Sequence, residues 1–113
     1  MLKYCVEKTA SVAMRITKWG YGLHGHDLAI IACWDAQEVY DIEKLDRILT
    51  KIVEKIDHNA LWEVIGGELI EDLLKYICSR LSEDTPKGLF LDKVSVRVQN
   101  KLITLRCDEK FSD

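Results

Sequence analysis

The sequence predicts an α+β fold in which a four-stranded antiparallel sheet carries two helices on one face. Three observations predict it. Apolar and polar residues alternate near both ends of the chain, two central segments repeat apolar residues every three or four positions, and turn-forming residues separate these segments. The element order is therefore ββααββ, and we expect residues 1–113 to form a single domain.

The first two strands are predicted by a long pattern of period two. Between residues 2 and 16 the even positions are apolar except for Lys8. Residues 19–22, Trp-Gly-Tyr-Gly, supply a turn, and residues 24–34 then alternate again. Because a period of two places alternate residues on one face of a strand, we expect the two segments to pair as an antiparallel hairpin.

The two helices are predicted by apolar stripes at helical spacing. Asp41 can cap a first helix whose stripe runs over residues 42–56, and the segment 57–59, Asp-His-Asn, ends it. The glycine pair at 66–67 precedes a second stripe over residues 69–81. Each stripe gives its helix one apolar face to pack against the sheet.

The remaining strands are predicted near the end of the chain. Residues 82–88 form a polar loop with the only proline, and residues 94–98 alternate as a third strand. A tight turn at 100–101 leads into a fourth strand over residues 102–107. The charged tail, residues 108–113, is expected to fray.

Charge and hydropathy argue against two classes of partner. The net charge is −3 and no run of five Lys or Arg occurs, so a nucleic-acid partner is not expected. No stretch of roughly 18 uncharged apolar residues is present, so no membrane span is expected. The start of the chain also lacks a secretory signal, and the interpretation is a cytoplasmic protein. In that compartment thiols stay reduced, so we expect free thiols, three in strands and one in a helix, at Cys5, Cys33, Cys78 and Cys107.

A four-stranded open sheet of this kind has two free edges and one uncovered face. Long free edges are normally protected, and joining sheets around a symmetry axis protects them. The sequence therefore predicts a homo-oligomer.

The motif His24-Gly25-His26 is the strongest candidate for a functional site. Residues two apart on a strand project from the same face, so the two imidazoles can converge on one ion, with Gly25 removing bulk between them. Imidazole is a preferred ligand of Zn²⁺, but a catalytic zinc site needs three protein ligands. The alternative is a pair of hydrogen-bonded histidines at the start of a strand.

A second candidate is Asp57-His58, where the first helix ends. A carboxylate beside an imidazole can fix its tautomer and raise its basicity, which suits a general base. Alternatively, the histidine is only a cation near the helix C-terminus. Glu68 and Glu71 fall near the start of the second helix, where the helix dipole by itself favours acidic residues.

These motifs together resemble the 6-pyruvoyltetrahydropterin synthase family, which includes the 6-carboxytetrahydropterin synthase of queuosine biosynthesis. The resemblance rests on the Leu-His-Gly-His segment at 23–26, the Asp-His pair with the following leucine at 57–61, and a helix start at Glu71-Asp72-Leu73-Leu74. It covers nearly the whole chain, with the segments in the same order. The fold that it implies is the T-fold (tunnelling fold), whose subunits join their sheets into a barrel with sites between neighbours.

The resemblance also implies a chemistry. In such enzymes a Zn²⁺ held by three histidines binds the substrate side chain, and His24 and His26 match two of those ligands. Asp57 and His58 match the pair that assists proton transfer. The substrate would be 7,8-dihydroneopterin triphosphate or a related pterin or purine-like molecule, and the assembly a homo-oligomer such as a hexamer.

Three positions depart from the family pattern. Met14 stands closest to the place of the first zinc ligand, and Gly20 stands at the place of the catalytic cysteine. Cys5, Cys33 and Asp27 are alternatives for a third ligand, although the parity of the strand puts Cys33 on the opposite face.

The glutamate that holds the pterin edge in the family is replaced near Val98-Gln99-Asn100. Gln99, Asn100 and Glu71 are therefore the candidate substrate contacts. Three hypotheses follow. The chain is a pterin synthase-like lyase with altered or reduced activity, or a non-catalytic T-fold protein that binds a pterin- or purine-like ligand or serves as an oligomeric scaffold, or an unrelated structural α+β domain.

Overall fold

A computed structural model describes residues 1–107, so the charged tail at 108–113, predicted to fray, lies outside the described residues. The strands are β1 Leu2–Ile16, β2 Tyr21–Ala36, β3 Asn59–Ala60, β4 Leu89–Val98 and β5 Lys101–Arg106. The helices are α1 Ile42–Ile56, α2 Leu61–Ile65 and α3 Ile70–Asp84. No helix among these residues is long and apolar enough to cross a membrane.

The strands form one sheet in the order β3-β1-β2-β4-β5. β1 and β2 pair as a long antiparallel hairpin, β4 pairs antiparallel with β2, and β5 pairs antiparallel with β4. Helices α1 and α3 lie on one face of this sheet, α1 against β1 and α3 against β4 and β5. The predicted α+β architecture is confirmed.

The structure adds two short elements that the sequence pattern did not predict. β3 pairs parallel with β1 through only two residues, and α2 has only five, so neither is long enough to show a periodicity. β4 also begins before the predicted start at residue 94. Leu89 and Leu91 are buried there, but a bulge opposite Cys33 and Trp34 breaks the alternation.

The core lies between the sheet and the two long helices. Alternate residues of β1 and β2 face it, and Trp34 is fully buried there with its indole N–H donating to the Thr85 hydroxyl at 3.0 Å. From the helices, the buried side chains are Leu45, Leu49, Ile52, Val53 and Ile56 of α1 and Ile70, Leu73, Leu74, Ile77, Cys78 and Leu81 of α3. The apolar stripes of the sequence are thus the faces that pack.

The four cysteines form two disulfides, Cys5–Cys33 and Cys78–Cys107, which corrects the expectation of free thiols. Cys5 and Cys33 are directly opposite each other in the β1–β2 register, on the face away from the helices. Cys78 on α3 meets Cys107, which follows β5 instead of lying within a strand. Spacing along the chain did not indicate either pairing. The register of β1 and β2 brings Cys5 to Cys33, and the packing of α3 near the end of β5 brings Cys78 to Cys107.

Candidate functional site

His24 and His26 lie near the start of β2, on the face of the sheet that carries the helices. Their ring centroids are 4.8 Å apart and the ring planes meet at 85°. Both histidines are partly buried, and both line a cavity of about 520 Å³ together with residues 20–23. The prediction that the two imidazoles share one face is therefore confirmed.

The tautomer of His24 is set by a backbone carbonyl. Its Nδ1 lies 2.7 Å from the carbonyl oxygen of Gly22, and a carbonyl can only accept. Nδ1 therefore carries the proton, and the neutral ring keeps a lone pair on Nε2 for a ligand.

Gly25 does not serve the purpose that the sequence suggested. Its position on β2 faces away from the two rings, so a side chain there would not lie between them. A Cβ at this position would meet only the Val12 carbonyl oxygen, at an ordinary 3.8 Å. The glycine instead leaves room in a second cavity.

Asp57 and His58 are in contact, as a general-base pair requires. The end of α1 is held against β1 by two bonds: the Ser11 backbone N–H donates to Asp57 Oδ1 at 2.8 Å, and the His58 N–H donates to the Ser11 carbonyl at 2.6 Å. His58 Nδ1 then lies 3.0 Å from Asp57 Oδ2. The left-handed backbone of His58, φ 62°, turns the chain so that the two adjacent side chains meet.

The electrostatics of this pair keep the carboxylate ionised. The hydrogen bond from the Ser11 backbone N–H lowers the pKa of Asp57 below its ordinary value, and the bond to His58 lowers it further, against the opposing effect of burial. An ionised Asp57 favours the His58 tautomer with its proton on Nδ1, so Nε2 is the atom that can accept a proton from a ligand.

Residues of the two motifs, far apart in the sequence, line the same cavity, although the His26 ring projects from the face of β2 opposite to Gly25 and Asp27. His26 and His58 both line a space of about 430 Å³, whose floor includes Gly25 and the short strand β3. The His58 side chain is 81% exposed, so it is accessible from this space. The parallel pairing of Asn59 and Ala60 with β1 is what brings the end of α1 to the histidines.

Ser11 and Asp27 belong to this region, although sequence reasoning gave Ser11 no role. They are cross-strand partners, and the Ser11 hydroxyl donates to Asp27 Oδ1 at 2.6 Å. Both line the cavity beside His58. A polar pair at odd positions of β1 and β2 could have indicated a site on the uncovered face, had the register of the hairpin been known.

The donor set does not fit a three-ligand zinc site. Within residues 1–107 no group of three His, Cys, Asp or Glu side chains is placed to hold a metal ion. The alternatives considered for a third ligand fail, because Asp27, Cys5 and Cys33 lie on the opposite face and both cysteines are in a disulfide. We therefore derive no chemical step through zinc.

Met14 stands closest to the place of the family's first zinc ligand. Met14 is the direct cross-strand partner of His24 and is buried, with 3% of its surface exposed. Its side chain shares the face of the two histidines, because directly opposite residues project from the same side of a sheet.

Gly20 also has a structural reason to be glycine. It ends a single 3-10 turn over Thr17–Trp19 in the left-handed conformation, φ 74°, and its N–H donates to the Thr17 carbonyl. Any residue with a Cβ is strained there. The position of the family's cysteine is thus part of the hairpin turn.

The three candidate substrate contacts lie at the protein surface. Gln99 and Asn100 form the exposed β4–β5 turn, with Gln99 left-handed at φ 57°. Because Val98 is opposite Leu28, this turn is at the same end of the sheet as His26. Glu71 is exposed in the first turn of α3.

Glu68 lies outside α3, which begins only at Ile70, so the helix dipole does not account for an acidic residue at this position. Its carboxylate accepts hydrogen bonds from the Thr17 backbone N–H at 2.8 Å and from Arg15 Nε at 2.7 Å. Arg15 also stacks over the ring of Trp62, 4.1 Å from its centroid. The first of these contacts most strongly lowers the pKa of Glu68, and the second adds to it. This cluster fixes the hairpin turn to the segment before α3.

These elements define an α+β protein of the T-fold class. The structure is similar to that of 6-pyruvoyl tetrahydropterin synthase from Caenorhabditis elegans, with a TM-score of 0.76 and 19% sequence identity over 93% of this chain and 94% of that one. It is also similar to an uncharacterized protein from Wolinella succinogenes, with a TM-score of 0.58 and 16% identity over 96% of this chain and all of that one. No family model and no curated protein sequence matches the chain. At these identities the likeness shows the fold alone.

Proposed function

We propose that the protein is a divergent member of the 6-pyruvoyltetrahydropterin synthase family that acts on 7,8-dihydroneopterin triphosphate or a related pterin. The observation that carries the proposal is that His58, which is paired with Asp57, lines one cavity together with His26. The likeness of the whole fold to 6-pyruvoyl tetrahydropterin synthase supports it.

The cavity suits a small bicyclic ligand. Its volume of about 430 Å³ falls within the range of small-molecule sites, roughly 300–1,000 Å³. His58, Ser11 and Asp27 line it and carry polar groups, so a heterocycle with several donors and acceptors can be held by hydrogen bonds.

In the proposed reaction His58 is the general base. Nε2 accepts a proton from a carbon or hydroxyl of the ligand side chain, and Asp57 stabilises the imidazolium that forms. A positioned base of this type accelerates proton transfer by about 10²–10⁴-fold. With Met14 and Gly20 in place of the family's ligand and thiol, we expect lyase activity to be altered or reduced.

The proposal includes a homo-oligomer. The edge strand β5 exposes Leu102 and Ile103, and no other element of residues 1–107 covers the sheet face opposite the helices. We expect a neighbouring copy of the chain to cover both this edge strand and the open face of the sheet. Gln99, Asn100 and Glu71 are surface residues that remain the proposed pterin contacts in such an assembly.

The experiment is a turnover assay with 7,8-dihydroneopterin triphosphate, in which triphosphate release and the pterin product are followed by mass spectrometry. We expect turnover by the wild type, its loss by at least about 100-fold in His58→Ala, and no change in Lys51→Ala, an exposed change on α1. Saturable pterin binding without turnover would instead support the non-catalytic alternative. If the wild type neither binds nor turns over the pterin, both hypotheses are refuted.

A further inference from the structure

Met14 brings a third potential donor to the two histidines. In the β1–β2 register it is opposite His24, and its neighbour Val12 is opposite His26. Cβ atoms of directly opposite residues lie about 4.5–5.5 Å apart, and a flexible thioether side chain spans such a distance. Met14, His24 and His26 therefore form a triangle on one face of the hairpin, which we call the His–His–Met triangle.

The histidine geometry agrees with two ligands on one ion. With metal–nitrogen bonds of about 2.0–2.1 Å, two imidazoles on a tetrahedral ion have ring centroids roughly 5 Å apart. The observed separation of His24 and His26 is 4.8 Å. The bond from His24 Nδ1 to the Gly22 carbonyl leaves Nε2 free and holds the ring in place, as outer-shell partners of metal-bound histidines do.

The chemistry of the three donors selects the ion. Thioethers are soft ligands that favour copper(I), whereas Zn²⁺ sites are built from imidazole, thiolate and carboxylate. Two neutral imidazoles and a thioether bring no negative charge, which favours an ion of charge +1 over +2 in a partly buried position. The nearest carboxylate along β2, Asp27, projects from the other face.

We propose that the His–His–Met triangle is a copper(I) site. The proposal does not depend on the pterin reaction, because its readout is metal binding alone. It also gives the His-Gly-His motif a metal-binding role that does not require the third histidine of a zinc site.

The test is copper(I) binding measured anaerobically against a chromophoric copper(I) chelator, on protein whose four cysteines have been shown to be in disulfides. We expect one copper(I) for each chain, bound at least about tenfold more weakly by Met14→Leu and by His24→Ala. Met14→Leu is nearly matched in volume, and circular dichroism checks the fold. Ile30→Leu, a similar change elsewhere on the core face of β2, should bind copper(I) as the wild type does.

A gain-of-function variant tests the selectivity. Met14→His completes a set of three imidazoles, so zinc affinity should rise by at least about tenfold relative to the wild type. If this variant fails to fold, Met14→Leu and His24→Ala still decide the question. Failure of the wild type to take up copper(I), or equal copper(I) affinity in Met14→Leu, would overturn the proposal.

Discussion

The Asp57 carboxylate accepts a hydrogen bond from the Ser11 backbone N–H at 2.8 Å. Because Asp57 is the C-cap residue of α1, this bond fixes the end of the helix to strand β1. His58 completes the attachment by donating its own N–H to the Ser11 carbonyl. The candidate base His58 and its partner Asp57 are thereby placed by the backbone of Ser11, which precedes Asp57 by 46 residues. The position of the candidate base therefore depends on the attachment of the end of α1 to β1.

Replacing Asp57 should separate its structural role from its charge. The amide oxygen of an asparagine can still accept the Ser11 hydrogen bond, so Asp57→Asn should retain more stability at pH 7 than Asp57→Ala, which loses the bond altogether. The pKa of Asp57 is lowered by folding, so its charge stabilises the protein above the ordinary value of 3.8 and stops doing so as the pH falls below it. Urea unfolding at pH 7 and near pH 3 checks both points. Equal pH dependence in wild type and Asp57→Asn would contradict this account.

Glu68→Gln should weaken the attachment of the hairpin turn. The pKa of Glu68 is lowered by the Thr17 N–H and by Arg15, so its stabilising effect is present above the ordinary value of 4.5 and is lost as the pH falls. We expect the variant to unfold at lower urea concentration than the wild type at pH 7, and the difference to shrink near pH 3. Glu63→Gln, a change at an exposed position on α2, is the matched control.

The fold followed from the sequence wherever an element was long enough to show its period. The stripes of α1 and α3 and the alternation of β1 and β2 each extend over more than ten residues, and the structure has all four. What remained hidden depends on contacts between distant residues. β3, for example, is two residues long and exists because Asn59 and Ala60 meet Val12 and Ala13.

The disulfides predict a simple thiol count. Under denaturing conditions without reductant, the purified protein should take up no iodoacetamide, and after reduction it should take up four. Removing the cross-link Cys78–Cys107 by a double serine substitution should lower the free energy of unfolding by about 3–4 kcal/mol, since it closes a segment of 29 residues. Four reactive thiols in the untreated protein would instead restore the expectation drawn from the sequence.

Gly20 should resist replacement for conformational reasons alone. No atom lies within 4 Å of the place a Cβ would take, but φ is 74°. Gly20→Ala should therefore lower the free energy of unfolding by about 1–2 kcal/mol through backbone strain. Gly22→Ala, at the neighbouring glycine that also has open space but no positive φ, should cost less. Thermal unfolding of the two variants compares them directly.

The candidate site was predicted only in part, and the reason is geometric. Strand parity is local, so it correctly put His24 and His26 on one face. The contact between Asp57 and His58 depends on a left-handed residue, and the partnership of Met14 with His24 depends on the hairpin register. Neither can be obtained from spacing within a single segment.

The central claim, that a pterin occupies the cavity shared by His26 and His58, is tested most directly by fluorescence titration of 7,8-dihydroneopterin. Gly25→Val adds a side chain at the lining of this cavity without backbone strain and on the face away from the histidine rings. We predict saturable binding to the wild type, one ligand for each chain, and at least about tenfold weaker binding to Gly25→Val. No saturable binding to the wild type, or equal affinity in the two proteins, would contradict the account.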